Sequence, residues 1–131
     1  RHVFPFGSVK FVPALHSSGY EIDGVMTYMG EASGIILEAE DKKIYHAGDT
    51  ALFSDMRLFA KDKSIDVAFL PIGDNYTMGP EDALEAVSYL NPEITIPIHY
   101  NTFPVIQQNP AIFVEQVVGG KVLNPGETIL V

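Results

Sequence analysis

Three apolar runs in this chain each end on one metal-type side chain, and that pattern restricts the fold more than any other feature. Ala14-Leu15 leads into His16, Ile44 to Gly48 leads into Asp49, and Ile94 to Ile98 leads into His99. Each run reads as a buried strand. Ligands spread this widely converge only where a fold gathers several strand ends along one edge, as open α/β sheets do at the carboxyl ends of their strands. A dense local motif such as H-E-x-x-H, which sets its ligands on one helix face, is absent.

The bulk properties permit such a sheet. With 131 residues the chain is one domain or one half of a larger one. Hydrophobic residues make up 47% of it, enough to bury a substantial core and to argue against disorder. Eight basic residues face 17 acidic ones, a net charge of −9, and no stretch clusters Lys and Arg. The electrostatic footprint of a nucleic-acid binder is therefore missing. Cysteine is absent, which removes disulfides, Cys-rich zinc sites and a thiol nucleophile. No apolar run reaches transmembrane length. A cytoplasmic setting is compatible with all of this. The opening Arg1-His2-Val3-Phe4-Pro5 has no initiator Met and no polar lead-in, so the natural N-terminus is expected upstream.

Strands are expected over Val9–Leu15, where Pro13 argues for an edge or a bulge. They are expected again as a hairpin over Ser33–Ala39 and Lys43–Ala47 around the acidic turn Glu40-Asp41-Lys42. Tyr20 to Met29 reads as a loop or a short strand. Leu52, Met56, Leu58 and Phe59 fall near helical spacing, with Ser54 or Thr50 as a cap. Ile65–Ile72 is nearly all apolar, as suits a strand buried on both faces. Pro80-Glu81-Asp82 opens a helix with proline in the first turn and acids at the positive end of its dipole. Ala83, Ala86, Val87 and Leu90 form the apolar face of that helix, which Asn91-Pro92 ends. Ile94–Ile98 is a further buried strand, Ala111–Val118 a helix stopped by Gly119-Gly120, and Val122-Leu123 and Thr128–Val131 read as closing strands. Strands alternating with amphipathic helices mean an α/β or layered α+β architecture.

Every candidate also has a plain structural reading. A histidine after an apolar run is more often a hydrogen-bonded core or loop residue than a ligand. An aspartate in Gly48-Asp49-Thr50 suits a turn or a cap. Three such residues at strand ends are harder to dismiss together. His46 shares a strand face with Ile44 and reads as structural or as a support to the ligands. Asp74 and Asn75 close another buried strand and would orient ligands or substrate, or simply form a turn. Tyr100, Asn101 and Thr102 offer hydrogen-bonding groups beside His99. Nothing assigns a role to His2. Ser17 and Ser18 lack the G-x-S-x-G surroundings of a nucleophile.

Four stretches together resemble the metallo-β-lactamase superfamily, and most closely its small branch of uncharacterised metal-dependent hydrolases. They are Ala14-Leu15-His16-Ser17-Ser18, Ile44 to Thr50, Phe69 to Pro80 and Ile98 to Pro104, and the last three are long and specific. The resemblance runs through essentially the whole chain but covers only the C-terminal part of a family member. It implies the C-terminal half of an αββα sandwich that holds one or two metals at one edge. Residues 1–131 would then be the C-terminal portion of one metallo-hydrolase domain. Position by position, His16 would complete the ligands of a first metal, Asp49 would bridge both metals as the catalytic carboxylate, and His99 would end the shell of the second. His46, Asp74, Asn75, Tyr100 and Asn101 would support ligands or substrate. The family's H-x-H-x-D-H motif does not occur here and is expected upstream of Arg1.

The resemblance implies a hydrolase in which a metal-bound hydroxide, between two ions about 3.5–4 Å apart, attacks a small-molecule substrate. Zinc is the first expectation for the metal, with manganese, nickel or iron also compatible with a His/Asp set. The chain alone is expected to be inactive, because two imidazoles and one carboxylate divided between two ions give each too few donors. The alternative is a non-catalytic half-domain that acts only by pairing with the chain that carries the remaining ligands, or by forming a homo-oligomer. An iron-containing redox member of the superfamily is a third option. Neither a membrane nor a nucleic acid is expected as partner.

Overall fold

The computed structural model describes residues 1–131. Eight strands appear in chain order: β1 (His2–Phe4), β2 (Gly7–Pro13), β3 (Gly19–Ile22), β4 (Val25–Tyr28), β5 (Ser33–Ala39), β6 (Lys42–His46), β7 (Val67–Pro71) and β8 (Ile94–Ile98). Two α-helices, α1 (Pro80–Leu90) and α2 (Pro110–Glu115), join them, with short 3-10 turns at Ser54–Leu58 and Pro104–Ile106. Six strands form one sheet in the order β1-β2-β5-β6-β7-β8, while β3 and β4 pair only with each other.

Strand direction positions the site. The pairs β1–β2, β2–β5 and β5–β6 are antiparallel, and β6–β7 and β7–β8 are parallel. It follows that β2, β6, β7 and β8 all point the same way. Their C-terminal ends share one rim, and the residues that follow them (His16, Asp49, Asp74 and His99) are delivered there.

Register sorts the side chains onto two unlike faces, because alternate residues of a strand point to opposite sides. Ile36, Tyr45, Ala68 and Thr95 lie side by side across β5 to β8 on one face, and all four are buried. Over them pack Ala83, Ala86 and Leu90 of α1, Phe113 of α2, and Met56 and Phe59 from the turn after β6. The neighbouring row, Phe11-Ile35-His46-Phe69-Ile96, faces the other way. Ile96 is buried and Phe69 half-buried, but His46 and Ile35 are exposed and Phe11 is 69% exposed. Leu123 and Ile129 of the C-terminal tail border one pocket with Ile44, Val67, Phe69 and Ile96, so the tail shelters only the β6–β8 end of this face.

Local chemistry explains the helix ends. Pro80 opens α1 just after Gly79, and Glu81 and Asp82 fill its first turn. Asn91 stops it in the left-handed region at φ 43°, donating its backbone N–H to the Val87 carbonyl at 2.8 Å. In α2 the Asn109 side chain accepts from the Ala111 N–H at 3.1 Å, a side-chain cap. Under the covered face lies a buried cation. Lys43 directs its ammonium onto the Phe59 carbonyl at 2.5 Å and the Lys63 carbonyl at 3.1 Å. Its backbone N–H donates to Asp66 at 2.7 Å.

Several sequence expectations need correction. The segments Val122-Leu123 and Thr128–Val131 form no strand: β8 takes only a bridge from Thr95 to Gly120 on its outer edge, and the tail then turns onto the face of the sheet instead of running along that edge. The helix expected over Leu52–Phe59 is the 3-10 turn Ser54–Leu58, preceded by Phe53 without any side-chain cap. Tyr20 to Met29 contains the β3–β4 hairpin. The strand that leads toward His16 is not buried throughout, since Phe11 and Pro13 are exposed. Pro13 ends β2 beyond the reach of β1, where the missing N–H leaves no ladder bond unmade.

Candidate functional site

Asp49 and His99 meet at the shared rim. The His99 Nε2 lies 3.5 Å from Asp49 Oδ2, with the imidazole 23% and the carboxylate 47% exposed. The Asp49 carboxylate receives no hydrogen bond from the chain, so it faces outward with its oxygens available. Gly48 makes the turn after β6 in the left-handed region at φ 66°, and a Cβ there would come within 2.9 Å of the Ser33 carbonyl. Only glycine fits both demands.

His99 is held in an unusual conformation. It adopts φ 54°, a left-handed backbone that a residue with a Cβ visits at a cost of about 1–3 kcal/mol. Asp74, Asn75 and Asn101 on the same rim do likewise, at φ 60°, 42° and 60°. The backbone of Gly73, at the end of β7, packs directly on His99: a Cβ on it would fall 2.4 Å from the His99 carbonyl and 3.0 Å from Nδ1. Nδ1 itself is buried and has no hydrogen-bond partner.

His16 reaches the same rim by backbone stitching. The Leu15 N–H donates to the Thr50 hydroxyl at 2.9 Å, and the Leu15 carbonyl accepts from the Ala51 N–H at 2.9 Å. The imidazole of His16 is nevertheless exposed, with Nδ1 2.7 Å from the Ser17 carbonyl. It does not complete a cluster, for no group of three or more His, Asp or Glu side chains in the chain is placed to hold a metal ion. Asp49 and His99 fit a divalent cation in donor chemistry and openness. In number they are one short of a three-ligand site.

The supporting residues divide. His46 accepts the Gly48 N–H on Nδ1 at 3.0 Å and stacks on Phe69, with ring centroids 5.6 Å apart. Burial holds its pKa below the ordinary histidine value against the opposing pull of Asp49. Asp74 and Asn75 form a tight turn: the Asp74 carbonyl accepts from Tyr76 and, at 2.9 Å, from Thr77. Asn101 spends its side-chain oxygen on the Gln108 N–H at 2.8 Å, which closes its own loop. Tyr100 packs against the core, and that burial raises its phenol pKa. Phe103 presents its ring edge-on to His99 at 6.5 Å. Beside His99 opens a cleft of about 650 Å³ bordered by Phe69, Ile96, Tyr100, Asn101, Leu123 and Asn124.

One organising residue has a larger role than the helix cap that its sequence position suggests. Thr50 is fully buried; its hydroxyl ties the end of β2, and its carbonyl accepts the Met78 N–H at 2.9 Å. It thereby links three of the four strand ends. A small hydroxyl residue directly after a turn aspartate was the available signal.

Comparison with known proteins supplies the family and the fold. A metal-dependent hydrolase of Enterococcus faecalis is 98% identical over 131 residues, all of this chain and 58% of its own length. The metallo hydrolase Igni18 of the hyperthermophilic archaeon Ignicoccus hospitalis superposes with a TM-score of 0.79 at 39% identity. That match covers 92% of this chain and 51% of the archaeal one. The metallo-β-lactamase fold protein YhfI of Bacillus subtilis, 10% identical, shares the fold alone, with a TM-score of 0.60 over 87% of this chain and 44% of its own. The chain thus spans about half the length of the relatives it matches. The sequence profile of the β-lactamase superfamily domain matches residues 1–100, a stretch that contains His16, Asp49 and His99, and the chain belongs to that superfamily.

Proposed function

We propose that this chain supplies the C-terminal half of the site of a metal-dependent hydrolase, with Asp49 and His99 as two of its donors; His16 would join them as a third once its ring turns from the Ser17 carbonyl. The observation that carries the reading is the approach of the His99 Nε2 to the Asp49 carboxylate at the common end of parallel strands. The relatives of Enterococcus faecalis and Ignicoccus hospitalis bear hydrolase names, which supports the same chemistry here. A bound divalent ion, zinc in the first instance, would polarise the scissile group and make a water acidic enough to react near neutral pH. Asp49 would offer a carboxylate oxygen to that ion on the side where Oδ2 faces His99. His99 would offer Nε2, with its ring fixed by the Gly73 backbone on one side and Phe103 on the other. The cleft beside His99, bordered by apolar side chains together with Asn101, Thr102, Asn124 and the carboxylate of Glu127, would receive a small substrate that carries no strong negative charge on that side.

A second reading has its own support. The exposed row on the sheet and the two-donor site both suit a half-domain that acts only once another polypeptide segment covers Phe11 and Ile35 and brings further ligands. One experiment addresses both. Metal content and hydrolysis of chromogenic esters and phosphodiesters are measured for the 131-residue chain and for a protein of the relatives' full length, each with and without Asp49→Ala. Stoichiometric zinc in the long protein, lost together with hydrolysis in Asp49→Ala, is the expected result, with neither metal nor turnover in the short chain. Unchanged metal and turnover in Asp49→Ala would remove the first reading. Tight zinc binding by the monomeric short chain would remove the second.

A further inference from the structure

The Asp49 carboxylate is aimed without any hydrogen bond of its own, so its direction depends on the backbone on either side. Downstream, Thr50 is locked through its hydroxyl and its carbonyl. Upstream, one side chain performs the matching task. His46 ends β6, lays its ring on Phe69, and places Nδ1 3.0 Å from the Gly48 nitrogen. The Gly48 N–H is the donor in that bond, so Nδ1 must be the bare nitrogen and the ring proton must sit on Nε2. The bond spans only two residues and closes the turn in which Gly48 takes its left-handed conformation.

We propose that His46 is a positioning residue for Asp49: as the Nε2–H tautomer it holds the Gly48 N–H and so fixes the turn that presents the carboxylate to His99 and to a divalent ion. The inference rests on the reading of Asp49 as a metal donor. Two features of the structure support it beyond the bond itself. The stack on Phe69 disfavours rotation of the imidazole away from Gly48, and partial desolvation of the ring, which keeps one edge open to solvent, favours the neutral form that the bond requires. A histidine with no neighbour against its ring would have neither constraint.

Two substitutions separate the acceptor from the ring. In His46→Asn the Oδ1 atom stands where Nδ1 stood and can accept the Gly48 N–H, while the aromatic stack is lost. In His46→Phe the stack is kept and the acceptor is lost. Zinc affinity of the full-length protein is measured by competition with a chelator, with Asp49→Ala as control and circular dichroism as a check on folding. His46→Phe is expected to weaken zinc about 10–100-fold, the usual effect of losing a support to a metal ligand. His46→Asn is expected to stay within a few-fold of the parent. If Asp49→Ala binds zinc as tightly as the parent, the metal reading itself fails. If Asp49→Ala loses zinc while His46→Phe does not, or while Phe and Asn weaken it equally, the positioning role is overturned and the metal reading stands. A second measurement needs no variant: ¹⁵N shifts of His46 in the unsubstituted protein should show a bare Nδ1 and a protonated Nε2. The opposite tautomer would end the proposal.

Discussion

The two faces of the six-stranded sheet carry similar residue types and have opposite surroundings. On one, Tyr45, Ala68 and Leu70 are fully buried beneath α1, α2 and the turn after β6. On the other, Phe11, Ile35 and His46 stand exposed, and an extended tail shelters only part of the row. Hydrophobicity alone does not distinguish them, because both faces of β5 and β6 read as apolar. What differs is whether the chain brings a helix across. The comparison teaches that a strand whose sequence is apolar on both sides can still be covered on one side only. An apolar patch of this kind marks an interaction surface rather than a flaw in the core.

The contrast can be broken most decisively by cavity mutations. Leu70→Ala on the covered face should cost about 2–5 kcal/mol in urea unfolding of the chain. A cost below 1 kcal/mol would mean that the helix-covered core is not the part that holds the fold together. A smaller effect tests the buried charges on the same side. Burial alone would raise the Asp66 pKa, but the Lys43 backbone N–H and the Lys42 ammonium outweigh it, and the carboxyl is held below its ordinary 3.8. Ionised Asp66 therefore stabilises the fold at pH values above that ordinary figure, and the contribution disappears as pH falls through the lower folded value. Asp66→Asn should flatten the acid limb of the stability profile below about pH 4; identical acid limbs would show that the carboxylate is not coupled to folding. The smallest effect belongs to the open face, where Phe11→Ala should change stability of the isolated chain by no more than about 0.5 kcal/mol. A loss comparable to Leu70→Ala would show that this face is covered in solution, by a second copy or by a rearranged tail.

Much of the fold was legible because local and long-range signals agreed. Ile94–Ile98 is a strand over the bounds that its apolar run marks, and α1 starts at Pro80 and stops at Asn91 as its proline, acids and Asn-Pro pair indicate. The 33–46 hairpin follows from two apolar runs around an acidic turn. Two departures from the sequence reading fall where pairing decides. His2–Phe4 becomes a strand only because Gly7–Val9 lies beside it, a contact invisible in three residues. Thr128–Val131 has strand composition, yet it lies against the β6–β8 face beside Ile44, Val67, Phe69 and Ile96 rather than along the outer edge of β8. At the rim, the placement of residues after β2, β6, β7 and β8 was readable from where the apolar runs end. The orientation of each ring was not. His16 turns its Nδ1 to the adjacent Ser17 carbonyl, and nothing in its spacing announces that.

The left-handed backbone at His99 carries a trade-off between robustness and chemistry. At most positions alanine is the safer replacement and glycine the more disruptive one. Here the order should invert: His99→Gly should melt above His99→Ala, by the equivalent of about 1 kcal/mol, because only glycine relaxes at that torsion. Selection for thermal endurance alone would therefore drift toward glycine at this position and discard the imidazole. A histidine that persists there is kept for what its ring does.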